Sequence, residues 1–272
     1  MPPSAATSGT VYRVVTDGSD DADGSAAHPL ATIQRALTLA RPGDTVVVAA
    51  GSYAPARFVR GGTTDRPITL EAEGNVTIDG PGNGYGIEVD AVGNVVIDGF
   101  TISGFEVGIA LIGSRDVTIR DNTLQGNDAA GVQVWKAEHV TVEQNRFLDP
   151  GDPSDLGTVQ DYGVNFYYSS FVAADRNYFF GRHDQALSFK RRDLHGTANG
   201  NTFEGCLFTC IYVGQNDDDE DGDMTSQDIV VRENRFRPAI DPTTHVSYRA
   251  RTPITLRNVT GAVVEDNVID PG

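Results

Sequence analysis

The sequence predicts an all-β fold, a right-handed parallel β-helix of stacked coils behind one short N-terminal capping helix. Three observations predict it: an asparagine frame that recurs along the chain, an alternating strand that recurs between those asparagines, and a single stretch with helical spacing in 272 residues.

The asparagines are Asn122, Asn145, Asn177, Asn201, Asn234 and Asn267, each two residues before a Leu, Phe or Ile. Successive frames lie 23 or 24 residues apart, or 32 to 33 where a turn carries an insertion. A repeat of roughly 22–24 residues is the period of a solenoid coil. Asn tolerates the left-handed bend between strands, and its amide can bond its counterpart in the next coil. Asp98, in Ile97-Asp98-Gly99-Phe100, reads as the same position one coil earlier.

The second repeat is a five-residue strand. Ile87, Ile109, Val132, Val164, Leu187, Ile211 and Ile254 align as one inward stack. Val89, Leu111, Val134, Phe166, Phe189, Val213 and Leu256 align as a second. Side chains alternate across a strand, so the residues between them point outward, and parallel stacking sets coils about 4.8 Å apart.

The helical stretch is His28 to Ala40, with Leu30, Ile33, Leu37 and Ala40 on one face and Arg41-Pro42-Gly43-Asp44 ending it. It predicts a cap over the open end of the core. Residues 1–272 read as one β-helix domain, with 1–43 as lead-in and helix and 44–270 as coils. Met1 to Thr10 is small, polar and uncharged, as expected of a mature start after loss of a signal peptide. The chain stops just after an Asn frame, which predicts truncation or a partner at that end.

Composition narrows the function. The net charge of -17 disfavours nucleic acid and anionic membrane surfaces. No run of about 18 apolar residues predicts membrane insertion. Two cysteines, Cys206 and Cys210, are as compatible with a local bridge as with two buried thiols. Oligomeric state is not legible.

The outward positions make a strip: Glu88 and Asp90; Gln133, Trp135 and Lys136; Asn165, Tyr167 and Tyr168; Ser188, Lys190 and Arg191; Tyr212 and Gln215; Thr255, Arg257 and Asn258. It holds the only Trp and the only two Lys of the chain. Aromatic planes pack on sugar rings, while amides and guanidinium groups bond hydroxyls and carboxylates. Trp135, Tyr167, Tyr168, Tyr212, Gln133, Asn165, Arg192 and His183 are therefore expected to bind an acidic polysaccharide. Lys190 lies in the densest basic cluster, with Arg191 and Arg192. Neighbouring cations would lower its pKa and suit it to abstract the proton α to a uronate carboxyl, starting β-elimination. Asp184 and Arg257 complete the expected catalytic set.

Asp217-Asp218-Asp219-Glu220-Asp221-Gly222-Asp223 matches the D-x-D-x-D-G half of a calcium loop, with Asp228 at position 12. Structural Ca2+ held by Asp217, Asp219, Asp221, Asp223 and Asp228 is expected, and Asp20 to Asp23 is a weaker candidate. A non-catalytic glycan-binding or structural role fits the same strip. So does a glycoside hydrolase built on Asp161 and Asp184.

The opening Asp17-Gly18-Ser19-Asp20, His28-Pro29-Leu30-Ala31-Thr32-Ile33-Gln34, Pro42-Gly43-Asp44-Thr45-Val46 and Gly51-Ser52-Tyr53 resemble the N-terminal signature of secreted β-helix proteins, nearest to the family 9 pectate lyases. Asp184 to Lys190, followed by Gly200-Asn201-Thr202-Phe203-Glu204-Gly205-Cys206, is similar to one coil of that family. The resemblance implies a secreted or cell-surface lyase using calcium and a lysine base, whose unsaturated product absorbs in the ultraviolet. The family's paired calcium aspartates are replaced by Thr209 and Cys210, and its base lysine by Arg257. Lys190 is the better base, since Lys releases its proton far more readily than Arg.

Overall fold

The computed structural model describes residues 9–149, 162–181, 183–206, 208–215, 225–240, 247–248 and 252–271. It is an all-β solenoid of parallel sheets with one helix among the described residues. The front sheet has eight parallel strands, Ala56–Phe58, Tyr85–Asp90, Val107–Ile112, Ala130–Trp135, Tyr162–Tyr167, Gln185–Lys190, Thr209–Gly214 and Thr252–Arg257, each paired with the strand one coil away. Two further faces complete each coil. One carries strands such as Glu138–Glu143 and Ser170–Asp175, the other strands such as Arg146–Asp149 and Tyr178–Gly181.

The front register is the one the sequence predicts: Val132↔Val164↔Leu187↔Ile211↔Ile254 and Val134↔Phe166↔Phe189↔Val213↔Leu256. The inward stacks are buried through Val213. A third stack, Phe147, Phe179, Phe203 and Phe236, places ring centroids 4.7–5.1 Å apart. Offset stacking at that spacing follows from the coil rise and adds to plain burial.

The asparagines form a continuous buried ladder. The backbone N–H of Phe100, Asn122, Asn145, Asn177, Asn201 and Asn234 each donates to the side-chain oxygen of the next Asn. Each side-chain NH2 donates back to a carbonyl of the preceding coil, as Asn177 does to Val142 at 2.8 Å. Two details differ from expectation. The left-handed residue is the one before each Asn: Asp121, Gln144, Arg176, Gly200, Glu233 and Asp266. The counterpart of Asn122 one coil earlier is Phe100, not Asp98, which aligns with Arg120 and pairs with it. The coil step there is 22 residues, so the matching hydrophobe after Asp98 misleads.

The helix covers Ile33–Leu39, shorter than His28 to Ala40. Asp20 sets its start by accepting the N–H groups of Ala31 and Thr32 and the Thr32 hydroxyl, while Thr32 caps Arg35. Leu30 instead bridges Val14 in a parallel pairing. Asp20 thus uses both carboxylate oxygens to fix the helix start. Cys206 and Cys210 are bridged, with Cα atoms 5.4 Å apart.

Candidate functional site

On the outer front face one column runs Asp90, Ile112, Trp135, Tyr167, Lys190, Gly214 and Arg257. The neighbouring column runs Glu88, Ala110, Gln133, Asn165, Ser188, Tyr212 and Thr255. The structure thus brings together Gln133, Trp135, Asn165, Tyr167, Lys190, Tyr212 and Arg257. At the turn that ends the front strands, Lys136, Tyr168, Arg191 and Arg192 have left-handed backbones.

A third outward column was not legible from the alternating repeat. Gly131 and Gly163 turn inward, where a Cβ would lie 2.6 Å from the Phe147 and Phe179 rings. The residues just before them, Ala130 and Tyr162, therefore face outward again, in line with Gln185 and Thr209. The signal was an aromatic residue preceding a strand-opening Gly.

Tyr162 is central to the site. Lys190 Nζ donates to Tyr162 Oη at 2.9 Å. The ammonium also lies 4.7 Å from the Tyr162 ring centre and 5.2 Å from that of Tyr212. Burial pushes the Tyr162 hydroxyl well above its ordinary range, with Tyr167, Asp184 and Tyr212 adding to the shift. Burial also raises Asp184, while the nearby Lys190 pulls it back down.

The strip is not uniformly open. Trp135 is 45% exposed, with Lys136 Nζ 6.0 Å from its ring, and Arg192 and Arg257 are exposed. Tyr167, Tyr168, Arg191 and Asp184 are half-buried, and Arg191 reaches the Tyr168 hydroxyl at 3.4 Å. Lys190 retains only 8% exposure, and Asn165, Ser188 and Tyr212 are buried. The Ser188 hydroxyl bonds Asn165 Oδ1 at 2.6 Å. The sequence predicts Lys190 in a cluster of cations, but it also packs against two ring faces and the Tyr162 phenol, which attract an ammonium. His183 also leaves the strip. It is buried and meets Phe179 edge-on at 6.3 Å.

Of the expected calcium ligands, Asp217, Asp219, Asp221 and Asp223 lie outside the described residues, as does Asp161. Asp228 is described, is exposed, and faces His195 Nδ1 at 3.4 Å. Among the described residues no group of three or more His, Cys, Asp or Glu could hold a metal ion. None of the described helices is long and apolar enough to cross a membrane.

Residues 70–236 match the family described as right handed beta helix region, and residues 16–106 match a family of unknown function, DUF1565. No curated protein matches the chain. Among solved structures, the chain is similar to the GH136 lacto-N-biosidase from Eubacterium ramulus, at TM-score 0.74 and 12% identity. That match covers 96% of this chain and 56% of the enzyme, so the chain spans little more than half its length. It is also similar to pectate lyase Pel9A, at TM-score 0.59 and 14% identity, covering 98% and 79% of the two chains. PfbA, a surface adhesin of Streptococcus pneumoniae, matches at TM-score 0.63 and 14% identity, over 84% of this chain and 64% of the adhesin. At these identities the likeness is one of fold, and it spans a hydrolase, a lyase and an adhesin. The ladder, the three faces and the match over 70–236 lead to one assignment: the chain belongs to the right-handed β-helix family.

Proposed function

We propose that the chain is an extracellular or cell-surface polysaccharide lyase that holds a uronic-acid polymer along the front face and cleaves it by β-elimination. The observation that carries this reading is the cluster of Lys190, Tyr162, Tyr212 and Asp184, in register with Trp135, Tyr167 and Arg257. Trp135 and Tyr167 give ring faces to sugars, and Arg191, Arg192 and Arg257 pair with carboxylates. Lys190 acts as base after its ammonium has released a proton to solvent: the amine then removes the proton α to the carboxyl, and the electrons form the ring double bond. The glycosidic oxygen then leaves with a proton from the Tyr162 hydroxyl, which burial keeps protonated. The bridge between Cys206 and Cys210 suits an oxidising compartment. Structural calcium at Asp217 to Asp228 remains part of the proposal, and its test is loss of thermal stability on chelation.

The test is the ultraviolet absorbance of unsaturated product on pectate, alginate and glycosaminoglycans. Lys190→Ala should lower the rate by about 10²–10⁴-fold, the range for losing a general base. Full activity in the variant removes Lys190 from the chemistry. A binding-only reading is favoured by one observation, the enclosure of Lys190 between two tyrosine rings. It predicts acidic-glycan affinity with no product from the wild-type chain.

A further inference from the structure

The third face carries a second groove. Its outward residues on successive coils are Ser103, Gln125, Leu148 and Phe180, in direct register. A cavity of about 510 Å³ opens over these four residues and Gly126. Leu148 and Phe180 are half-buried at positions where the same column elsewhere carries Asp79, Ser103, Glu204 and Arg237. Two large apolar side chains facing outward on adjacent coils of a polar face need a reason, because the alternating pattern would otherwise place polar residues there.

Three charged side chains near the groove, Asp79, Glu204 and Arg146, are already engaged. The Ser103 hydroxyl donates to Asp79. Tyr178, one ring over from Phe180, donates to Glu204 at 2.9 Å, and the Arg146 guanidinium sits 5.0 Å from the Tyr178 ring centre. Among the described residues the groove is lined by an amide, a hydroxyl and apolar surface, with no ionised group. On a chain of net charge -17, such a groove neither attracts nor pairs with a polyanion. Nor does it offer a strand edge to a peptide. The strands Thr123–Gln125, Arg146–Asp149 and Tyr178–Gly181 are each paired on both sides, so strand addition has no free backbone to use.

We infer that this groove binds a neutral polysaccharide segment running along the solenoid axis. Ring faces of successive sugars lie on Phe180 and Leu148, and hydroxyls meet Gln125 and Ser103. The coil spacing of about 4.8 Å is on the scale of one sugar ring along an extended glycan. At Gly126 the backbone is left-handed and a Cβ would meet nothing within 4 Å, which leaves the groove floor open. Gln125, Gly126 and Leu148 also line the small cavity beside Tyr162 and His183. The groove therefore shares lining residues with the corner leading to the front face, but its ligand is uncharged and its binding does not depend on Lys190.

Affinity electrophoresis of the full chain in gels containing xyloglucan, galactomannan or arabinogalactan tests this, with polygalacturonate as the acidic control. The expected result is retardation by at least one neutral glycan, weakened at least fivefold by Phe180→Ala and unchanged by Lys190→Ala. Leu148→Ala and Gln125→Ala should each weaken it less, and all variants should keep the wild-type circular dichroism at the assay temperature. Absence of retardation in every neutral glycan overturns the inference, as does retardation that Phe180→Ala leaves intact. Retardation by polygalacturonate alone also overturns it, while leaving the front-face reading standing.

Discussion

The asparagine corner and the front column are built on the same coil spacing and use it in opposite ways. At the corner the residue type repeats from Asn122 to Asn267, and each side chain completes its hydrogen bonds with the next coil. On the front face the position repeats but the residue does not, running from Asp90 through Trp135 and Lys190 to Arg257. A position that must satisfy buried backbone groups admits one solution, so it repeats. A position that faces a ligand is free to differ in every coil. The contrast predicts that ladder substitutions cost stability, while front substitutions cost binding or rate.

The largest stability effect is expected at the middle of the ladder. Asn177→Ala removes the bond to Val142 and strands the backbone N–H of Asn145, both buried. Each buried group left without a partner costs about 1–3 kcal/mol, so a loss of about 3–5 kcal/mol in urea unfolding is expected. Asn177→Asp should recover part of it, because a carboxyl oxygen can still accept from Asn145. A loss under about 1 kcal/mol for Asn177→Ala would mean that the ladder is decoration and would dissolve the comparison.

Next is Trp135→Ala on the front face. Its ring is exposed and supports no core residue, so unfolding should shift by no more than about 0.5 kcal/mol. Affinity for an acidic polysaccharide should fall about 2- to 12-fold, the value of about 0.5–1.5 kcal/mol for one aromatic platform. An equal loss of stability and affinity would show that the front face obeys the ladder's rule.

These two regions were unequally legible. The period, the inward stacks and the front register could be read from sequence, because alternation and a recurring Asn are local signals. The ladder's first member could not, since Asp98 and Phe100 both fit the frame and only the hydrogen bond to Asn122 separates them. The extent of Lys190 burial was also invisible. It depends on Tyr162 from the previous coil and Tyr212 from the next, and Tyr162 faces outward only because Gly163 turns in. Repetition records what one coil needs, whereas the environment of a side chain is set by three.

Asp193 joins the two rules in one residue. It occupies the turn beside Lys190 and accepts the Ser169 N–H at 2.6 Å, yet it is wholly buried and its other oxygen has no hydrogen-bond partner among the described residues. Burial raises its pKa well above the ordinary 3.8, against the pull of the Ser169 and Lys190 backbone groups. Below that ordinary value both folded and unfolded chains hold the proton, and the residue costs nothing. As pH rises past it, the unfolded chain ionises first, so the folded state loses stability until its own pKa is reached. Asp193→Asn keeps the acceptor and cannot ionise. Its melting temperature should exceed that of wild type at pH 7 and converge with it near about pH 4. Parallel melting curves across that window would place the Asp193 carboxylate in a solvated site.

The smallest expected effect belongs to an exposed column that imitates the ladder with rings. His139, Phe171 and His195 stack at 5.0 and 4.8 Å, with Asp116 beside His139 and Asp228 beside His195. All five have left-handed backbones, and for Phe171 that conformation is costly. Phe171→Ala removes two ring contacts at the surface, for a loss of about 0.5–1.5 kcal/mol. Phe171→Gly removes the same contacts but also relieves the backbone, since Gly adopts positive φ without penalty. The glycine variant should therefore be at least as stable as the alanine variant, reversing the usual order of about 0.5–1 kcal/mol in favour of Ala. If Phe171→Gly instead unfolds more easily than Phe171→Ala, the turn carries no backbone strain. The aromatic column then owes its place to its solvent-facing edges, as the front face does.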